Sequence, residues 1–288
     1  MLREMMITEN GIEMVDKVEI AIERIRAFEP REGYYVAFSG GKDSSVVLEL
    51  VKMAGVKYDA HYNITSVDPP ELVEFIKTEH PEVQRDHPRD DDGKPVTMWN
   101  LIPQKCVPPT RVVRYCCEYL KEQEGRGRVT ITGVRWAESI RRAKKHGLVS
   151  IYGGTILNSD NDESRQLVDV CYKKRKTLLN PIIDWSNEEV WEFIQEYNVP
   201  YCKLYDEGFD RLGCIACPMA GPEKQLRDLT RWPKYKRAYL NAFDRMLKVR
   251  AEKGLPTDFR DAEDVMAWWL GKQDKGPLDG QIEIEFEE

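Results

Sequence analysis

An α/β fold, with an open and mostly parallel sheet sandwiched by helices and a helical C-terminal extension, is what this 288-residue sequence predicts. Three observations carry the prediction. Tyr34-Tyr35-Val36-Ala37-Phe38 is a short aromatic and β-branched run ending at a glycine pair, the pattern of a buried strand. Ser44–Ala54 then reads as a helix closed by Gly55, Tyr58–Tyr62 as a second strand, and Asp68-Pro69-Pro70 opens another helix with proline in its first turn. Strand, helix, strand, helix is the alternation that builds a parallel sheet.

The remaining elements follow in order. Ile12, Val15, Val18, Ile22 and Ile25 stand at helical spacing, which predicts one helix over Gly11–Phe28. Asp86–Pro95 is a polar loop. Pro109–Gln123 reads as a helix carrying Arg111, Arg114, Cys116 and Cys117, and Val129–Thr132 as a third clear strand. Arg135–His146 reads as a strongly basic helix and Asn187–Asn198 as an amphipathic one capped by Ser186. Helices dominate from Pro222 onward, including Asp261–Leu270, and Gln281–Glu288 alternates like a short strand or a frayed tail. The expected organisation is an α/β domain over 1–220 with a helical extension, 221–288, packed on it.

Composition narrows the class. No run approaches the roughly 18 apolar residues of a membrane helix, so no membrane partner is expected. The first residues carry charge where a signal peptide needs an apolar core, and the expected location is cytoplasmic. Net charge is −7, yet Lys105–Lys176 holds 16 basic against 8 acidic residues. A basic middle in an acidic chain points to a site for an anionic ligand. The seven cysteines include an adjacent pair, are odd in number and lack an export signal, so a metal or redox site is expected rather than a disulfide framework.

Ser39-Gly40-Gly41-Lys42-Asp43-Ser44 lies between a predicted strand and a predicted helix, where anion loops belong. Two glycines let the backbone approach a phosphate, and successive N–H groups at the helix start cradle it. Ser39 and Ser44 offer hydroxyl donors and Lys42 a mobile charge. Asp43 would repel a phosphate unless it binds Mg2+ or a backbone N–H. Walker A spacing is absent.

Cys116-Cys117 and Cys214-Ile215-Ala216-Cys217 supply four thiols, the ligand set of a 4Fe–4S cluster or of an all-cysteine zinc site. Adjacent cysteines diverge and strain a small tetrahedral centre, and suit a cube of separated irons better.

These motifs carry a resemblance. SGGKDS is similar to the PP-loop of the N-type ATP pyrophosphatases. CC followed after a long interval by CxxC resembles the cluster pattern of adenylyl-sulfate (APS) reductases, within the phosphoadenylyl-sulfate (PAPS) reductase family. Thr132-Gly133-Val134-Arg135 through Glu138-Ser139 to Arg141-Arg142 resembles that family's basic segment. Asn180-Pro181 to Trp185, with Val190-Trp191, resembles its NPxxxW…VW stretch, and Val199-Pro200-Tyr201 to Cys214 its approach to the cluster. The resemblance spans about Val36–Pro218 and implies an adenine nucleotide α-hydrolase-like fold. It also implies nucleotide binding by Ser39, Gly40, Gly41, Lys42, Asp43, Ser44, Gly133 and Arg135, and catalysis by Lys42, Asp43 and Arg135. The resemblance gives a 4Fe–4S cluster to Cys116, Cys117, Cys214 and Cys217; separately, guanidinium chemistry and the basic surplus make Arg111, Arg114, Arg141 and Arg142 candidates to clamp a phosphate or sulfate.

Two departures shape the functional expectation. The reductases end in a tail whose cysteine attacks sulfur, whereas no cysteine follows Cys217 here; and SGGKDS is intact where reductases usually carry a degraded form. The leading expectation is therefore ATP-dependent sulfur transfer. ATP with Mg2+ would adenylate an acceptor (tRNA, DNA or a small molecule) and release pyrophosphate, with a cysteine desulfurase or thioredoxin as sulfur-donor partner. The runner-up is an APS or PAPS reductase using thioredoxin, with Cys106, Cys171 or Cys202 replacing the tail nucleophile. A third option is a non-catalytic nucleotide-sensing subunit. A homo-oligomer is compatible with each.

Overall fold

The computed structural model describes residues 1–272 apart from 9–10, 91, 122–124, 126, 153–154 and 172–175. The chain divides into two compact units, one made of 1–62, 70–86 and 124–212, the other of 63–69, 87–123 and 213 onward.

The first unit is built on a sheet. Its strands, in chain order, are β1 (Arg3–Thr8), β2 (Gly11–Asp16), β3 (Tyr34–Ala37), β4 (Tyr58–Asn63), β5 (Gln84–Asp86), β6 (Val129–Ile131), β7 (Val149–Ile151), β8 (Thr155–Leu157) and β9 (Thr177–Leu179). β1 and β2 form a separate antiparallel hairpin, with Ile7 opposite Ile12. The others form one sheet in the order β5-β4-β3-β6-β9-β7-β8. Its centre is parallel: Val36 of β3 aligns with Ala60 of β4 and Ile131 of β6, and Ile131 aligns with Leu179 of β9. β7 and β8 add an antiparallel edge. The predicted open, mostly parallel sheet with flanking helices is thus observed. Val36, Ile131 and Leu179 are fully buried, and helices Lys17–Ala27 and Asn187–Glu196 both pack against helix Lys42–Ala54.

The strand order positions the site. From β3 the chain moves outward through β4 to β5, then returns to the other side of β3 as β6. The loops following β3 and β6 therefore emerge side by side at the switch point, where the carboxyl ends of parallel strands leave a crevice.

The second unit is helical, with Met98–Lys105, Tyr115–Lys121, Pro222–Arg231, Pro233–Glu252 and Ala262–Trp269 among its elements. The Pro233–Glu252 helix contacts three of them, and Tyr239, Phe243 and Trp269 pack ring to ring.

Several boundaries differ from expectation. Gly11–Asp16 is a strand; the helix begins at Lys17, where the Asp16 carboxylate accepts from the N–H groups of Val18 and Glu19. Ile12, placed on the helix's apolar face, is 70% exposed on the hairpin. A capping acid, not the 3.6-residue period, sets that boundary. The Pro109–Gln123 helix begins only at Tyr115, because Thr110 first closes a turn, its Oγ1 accepting from Val112 and Val113 N–H, and its last two positions, 122–123, lie outside the described residues. The Arg135–His146 helix is a 3-10 turn, Trp136–Glu138, followed by a short helix, Ile140–Lys145, that Ser139 caps. The Met98–Lys105 and Asp162–Cys171 helices and six of the strands were not anticipated. Gln281–Glu288 lies outside the described residues.

Candidate functional site

Ser39–Ser44 forms the expected loop between β3 and the helix, which starts at Lys42. Gly40 has φ +72°, and a Cβ there would come within 2.7 Å of Leu72 Cδ1 and 2.8 Å of Ile76 Cδ1. Only glycine combines this left-handed turn with such close packing.

The hydroxyls brace the loop. Ser44 Oγ donates to Gly41 O at 2.8 Å and accepts from Ser39 N at 3.2 Å, and the two serine hydroxyls pair at 3.2 Å. The N-cap, Gly41, has no side chain to cap the helix; instead Lys42 N–H donates 2.9 Å to Tyr205 Oη. Lys42 is not the mobile charge expected. It is buried, with Nζ 3.4 Å from Asp43 Oδ2 and 5.7 Å from the Tyr205 ring centre.

Asp43 is committed to the protein rather than left free for a cation. Its Oδ1 accepts from Arg135 Nε at 2.6 Å, and Arg135, only 2% exposed, also donates from Nη1 to Trp185 O at 3.1 Å. Gly133 explains its own presence: a Cβ there would stand 2.9 Å from the Asp43 carbonyl carbon and oxygen. The backbone after β6 thus rests directly on the first turn after β3. Asn180 locks the same loop, accepting from Thr132 Oγ1 at 2.5 Å and donating to Gly147 O at 2.8 Å.

Farther along the segment, Glu138 Oε1 accepts from Arg135 N at 3.2 Å and pairs with Arg142, while Oε2 lies 3.8 Å from Arg211 Nη1. The side chain of Arg141 lies outside the described residues. A separate cavity of about 680 Å³ is lined by Glu71, Glu74, Phe75, Ile194 and Tyr201 among others. No residue of the Ser39–Ser44 loop lines it, and its carboxylate rim disfavours a phosphate.

The second unit gathers the four motif cysteines. The Cys214–Cys217 turn is tightly held: Ala216 N–H donates 3.1 Å to Asp228 Oδ2, Gln225 donates 3.2 Å to Ala216 O, and Tyr239 Oη donates 3.0 Å to Ile215 O. Ala216 adopts φ +57°, a left-handed position rare for alanine. Cys116 and Cys117 open the Tyr115–Lys121 helix.

A hydrogen bond from Cys116 holds the Cys117 thiol down at about 5, helped by Arg114, whose Nη2 is 3.4 Å from Cys117 Sγ. The same bond, then burial, then Cys117, Cys214 and Cys217 push Cys116 up. The four sulfurs thus share one electrostatic neighbourhood, in which burial pushes the Cys214 thiol up and Lys121 beside it opposes that shift. Cations near thiols favour the thiolate, the form that ligates metal. The donor set fits an iron–sulfur centre in kind, although among the described residues no group of three or more His, Cys, Asp or Glu side chains is placed to hold a metal ion.

Arg111 belongs to this unit too, its Nε donating 3.3 Å to Pro218 O, so Arg111 and Arg114 accompany the thiols while Arg135 and Arg142 accompany the loop. Cys106 and Cys202 are buried. The Cys171 side chain and residues 172–175 lie outside the described residues. Sequence reasoning missed Tyr205, Glu138, Arg211 and Lys121 as site residues; only Glu138 left a signal, as the acid three residues after Arg135.

The chain belongs to the phosphoadenosine phosphosulfate reductase family, whose domain matches residues 33–220. Among its relatives, an uncharacterized protein of Methanocaldococcus jannaschii is 29% identical over 195 residues, 64% of this chain and 35% of that one. The adenosine 5′-phosphosulfate reductase of Oceanobacillus iheyensis is 24% identical over 63% of this chain and 69% of its own length. Adenosine 5′-phosphosulfate reductase 2 of Bacillus subtilis is 23% identical over 76% and 86%. This chain spans about a third and about half of the two Methanocaldococcus jannaschii relatives it matches. A phosphoadenylyl-sulfate reductase structure from Candida auris aligns at 15% identity with a TM-score of 0.43, covering 67% of this chain and 87% of that one. Among the described residues no helix is long and apolar enough to cross a membrane.

Proposed function

We propose that this chain binds the phosphates of ATP at Ser39–Ser44 and catalyses ATP-dependent sulfur transfer, adenylating an acceptor with loss of pyrophosphate before delivering sulfur to it. The observation that carries the reading is the switch-point loop itself: intact SGGKDS on a 13-residue helix, with Lys42 inside the loop and Gly133 seated against Asp43. Helix N-terminal N–H groups bind the anion, and Lys42 neutralises charge that grows on the departing pyrophosphate. Arg135 keeps Asp43, and through it Lys42, in register. Mg2+ supplies further charge neutralisation when bound. Cys116, Cys117, Cys214 and Cys217 would hold a 4Fe–4S cluster, which supplies sulfur or redox chemistry. The sulfur donor is a cysteine desulfurase, with thioredoxin as the dithiol reductant, the acceptor is a nucleic acid or small molecule, and the location is the cytoplasm.

A second reading is reduction of APS or PAPS with thioredoxin. The relatives named adenosine 5′-phosphosulfate reductase favour it. The deciding experiment incubates anaerobically purified protein with ATP, Mg2+ and tRNA or DNA and scores pyrophosphate, in parallel with APS or PAPS and thioredoxin scored for sulfite. Pyrophosphate release that depends on acceptor supports sulfur transfer. Sulfite alone replaces it with reduction, and nucleotide binding with neither product leaves a sensing subunit.

A further inference from the structure

We propose that the cavity between helix Pro70–Glu79 and the 194–203 stretch is a docking groove for a lysine- or arginine-bearing segment of a partner protein. Its shape comes first. Glu71, Glu74, Phe75, Thr78 and Glu79 recur at helical spacing and put one stripe of the helix on the cavity. The other wall forms where helix Asn187–Glu196 ends. Asn198 takes φ +51° and Val199 N–H donates 3.0 Å back to Ile194 O, a C-cap turn that brings Pro200, Tyr201 and Lys203 onto the same cavity. The walls enclose about 680 Å³, and the buried side chains of Phe75, Ile194 and Val199 give an apolar floor. Close-packed interiors leave few voids larger than a water molecule, so a cleft of this size has the dimensions of a binding site.

Charge names the occupant. Three carboxylates, Glu71, Glu74 and Glu79, line the cavity against one lysine, Lys203. Lys77 answers Glu74 only at 3.9 Å, with both side chains more than half exposed, and such a pair yields to a competing cation at little cost. The flanking sequence is acidic as well: Asn187–Asp210 holds seven acids and a single lysine, and the cations that reach it, Lys17 and Arg3, are spent on Glu189 and Glu196. Tyr201, 39% exposed, adds an aromatic face braced edge-on by Trp191, the kind of surface on which an ammonium or guanidinium rests. A lysine or arginine side chain meets both features at once, its aliphatic stem on the apolar floor and its charge at the carboxylates. Residues 273–288 carry six acids and one lysine, so that segment of the chain has the wrong charge for the groove. The walls also serve the nucleotide loop. Leu72 and Ile76, on the same helix, leave Gly40 no room for a Cβ, and Tyr205, two residues past Lys203, accepts from Lys42 N–H. A partner held here grips both elements that shape Ser39–Ser44.

Fluorescence anisotropy of a labelled peptide of alternating lysine and leucine, titrated with the full chain at low ionic strength, tests the groove. Wild type is expected to bind it and to ignore the same peptide with glutamate in place of lysine. The double variant Glu71→Gln, Glu74→Gln should weaken binding about tenfold and Tyr201→Ala about threefold, while Glu252→Gln, which removes an exposed carboxylate of the other unit, leaves it unchanged. Glutamine keeps the shape of the side chain it replaces, so lost binding reports charge. The bound peptide should also slow amide exchange over 70–79 and 194–203. Equal affinity of wild type and the double variant, exchange protection elsewhere on the surface instead, or no binding by wild type overturns the groove. A dimer of the full chain that the double variant dissociates overturns the partner protein and puts a second copy in its place.

Discussion

Arg135 Nε donates to Asp43 Oδ1 across 2.6 Å, joining residues 92 positions apart at the switch point of the sheet. The pair ties the segment after β6 to the loop after β3, and Arg135 is almost wholly buried. Asp43→Ala leaves that guanidinium unpaired. The expected cost is about 3 kcal/mol, the low end for a broken buried pair because Asp43 keeps about a fifth of its surface. Denaturant unfolding measures it; an unchanged midpoint contradicts the role. Asp43→Asn is expected to lose stability rather than merely to raise the Mg2+ requirement, since Arg135 and Lys42 already occupy its carboxylate.

Lys42→Ala should slow pyrophosphate release about a hundredfold, as for deletion of one electrostatic stabiliser, while weakening ATP binding much less. Rate and affinity measured side by side check this. Equal losses in both would make Lys42 a ground-state binder.

Gly133→Ala forces a methyl to within 2.9 Å of the Asp43 backbone, and backbone cannot swing aside as a side chain can. The expected loss is about 1–3 kcal/mol, as for overpacking, together with protection of the protein by ATP. Wild-type melting with full ATP protection would show that the two loops separate freely.

His80 sets a pH dependence. Burial lowers its pKa below the free-imidazole value of 6.5, with Glu82 opposing and Lys52 assisting. Among the described residues neither ring nitrogen has a partner within hydrogen-bond distance, Nδ1 standing 3.7 Å from Glu82 Oε1, and the ring packs on Phe38 and Phe75. A base with a depressed folded pKa contributes stability that is complete above its unfolded value. That stability is lost as pH falls from about 6.5 through the folded value, because the unfolded chain takes the proton first. His80→Phe should flatten that part of the stability–pH curve between pH 7.5 and 5.5. A slope identical to wild type removes His80 as the cause.

Replacing any of Cys116, Cys117, Cys214 or Cys217 by serine should abolish the brown colour and the bound iron of anaerobically purified protein. Equimolar zinc without iron in the wild type would reject the cluster.

The strand–loop–helix at Tyr34–Ala54 was legible because its signals are local: a short apolar run, two glycines, an amphipathic helix and a closing glycine. The same holds for the Ser186 cap, where a serine precedes an amphipathic run. Local periodicity failed at Gly11–Asp16, where Asp16 capped the following helix and hairpin pairing claimed the residues before it. It failed again at Arg111 and Arg114, which Thr110 holds outside the helix. The tertiary structure alone decided that Asp43 answers Arg135, that Tyr205 caps Lys42, and that Glu138 stands between Arg142 and Arg211. It also decided which arginines accompany the loop and which the thiols. Apart from Glu138 with Arg142, a local i,i+4 pair, these are contacts between segments tens of residues apart, brought together by strand order, and nothing in the local sequence around either partner encodes the other. The sequence by itself determined the family, the strand–loop–helix and which ionisable side chains the chain carries; the crossover from β5 back to β6 determined which of those charges meet.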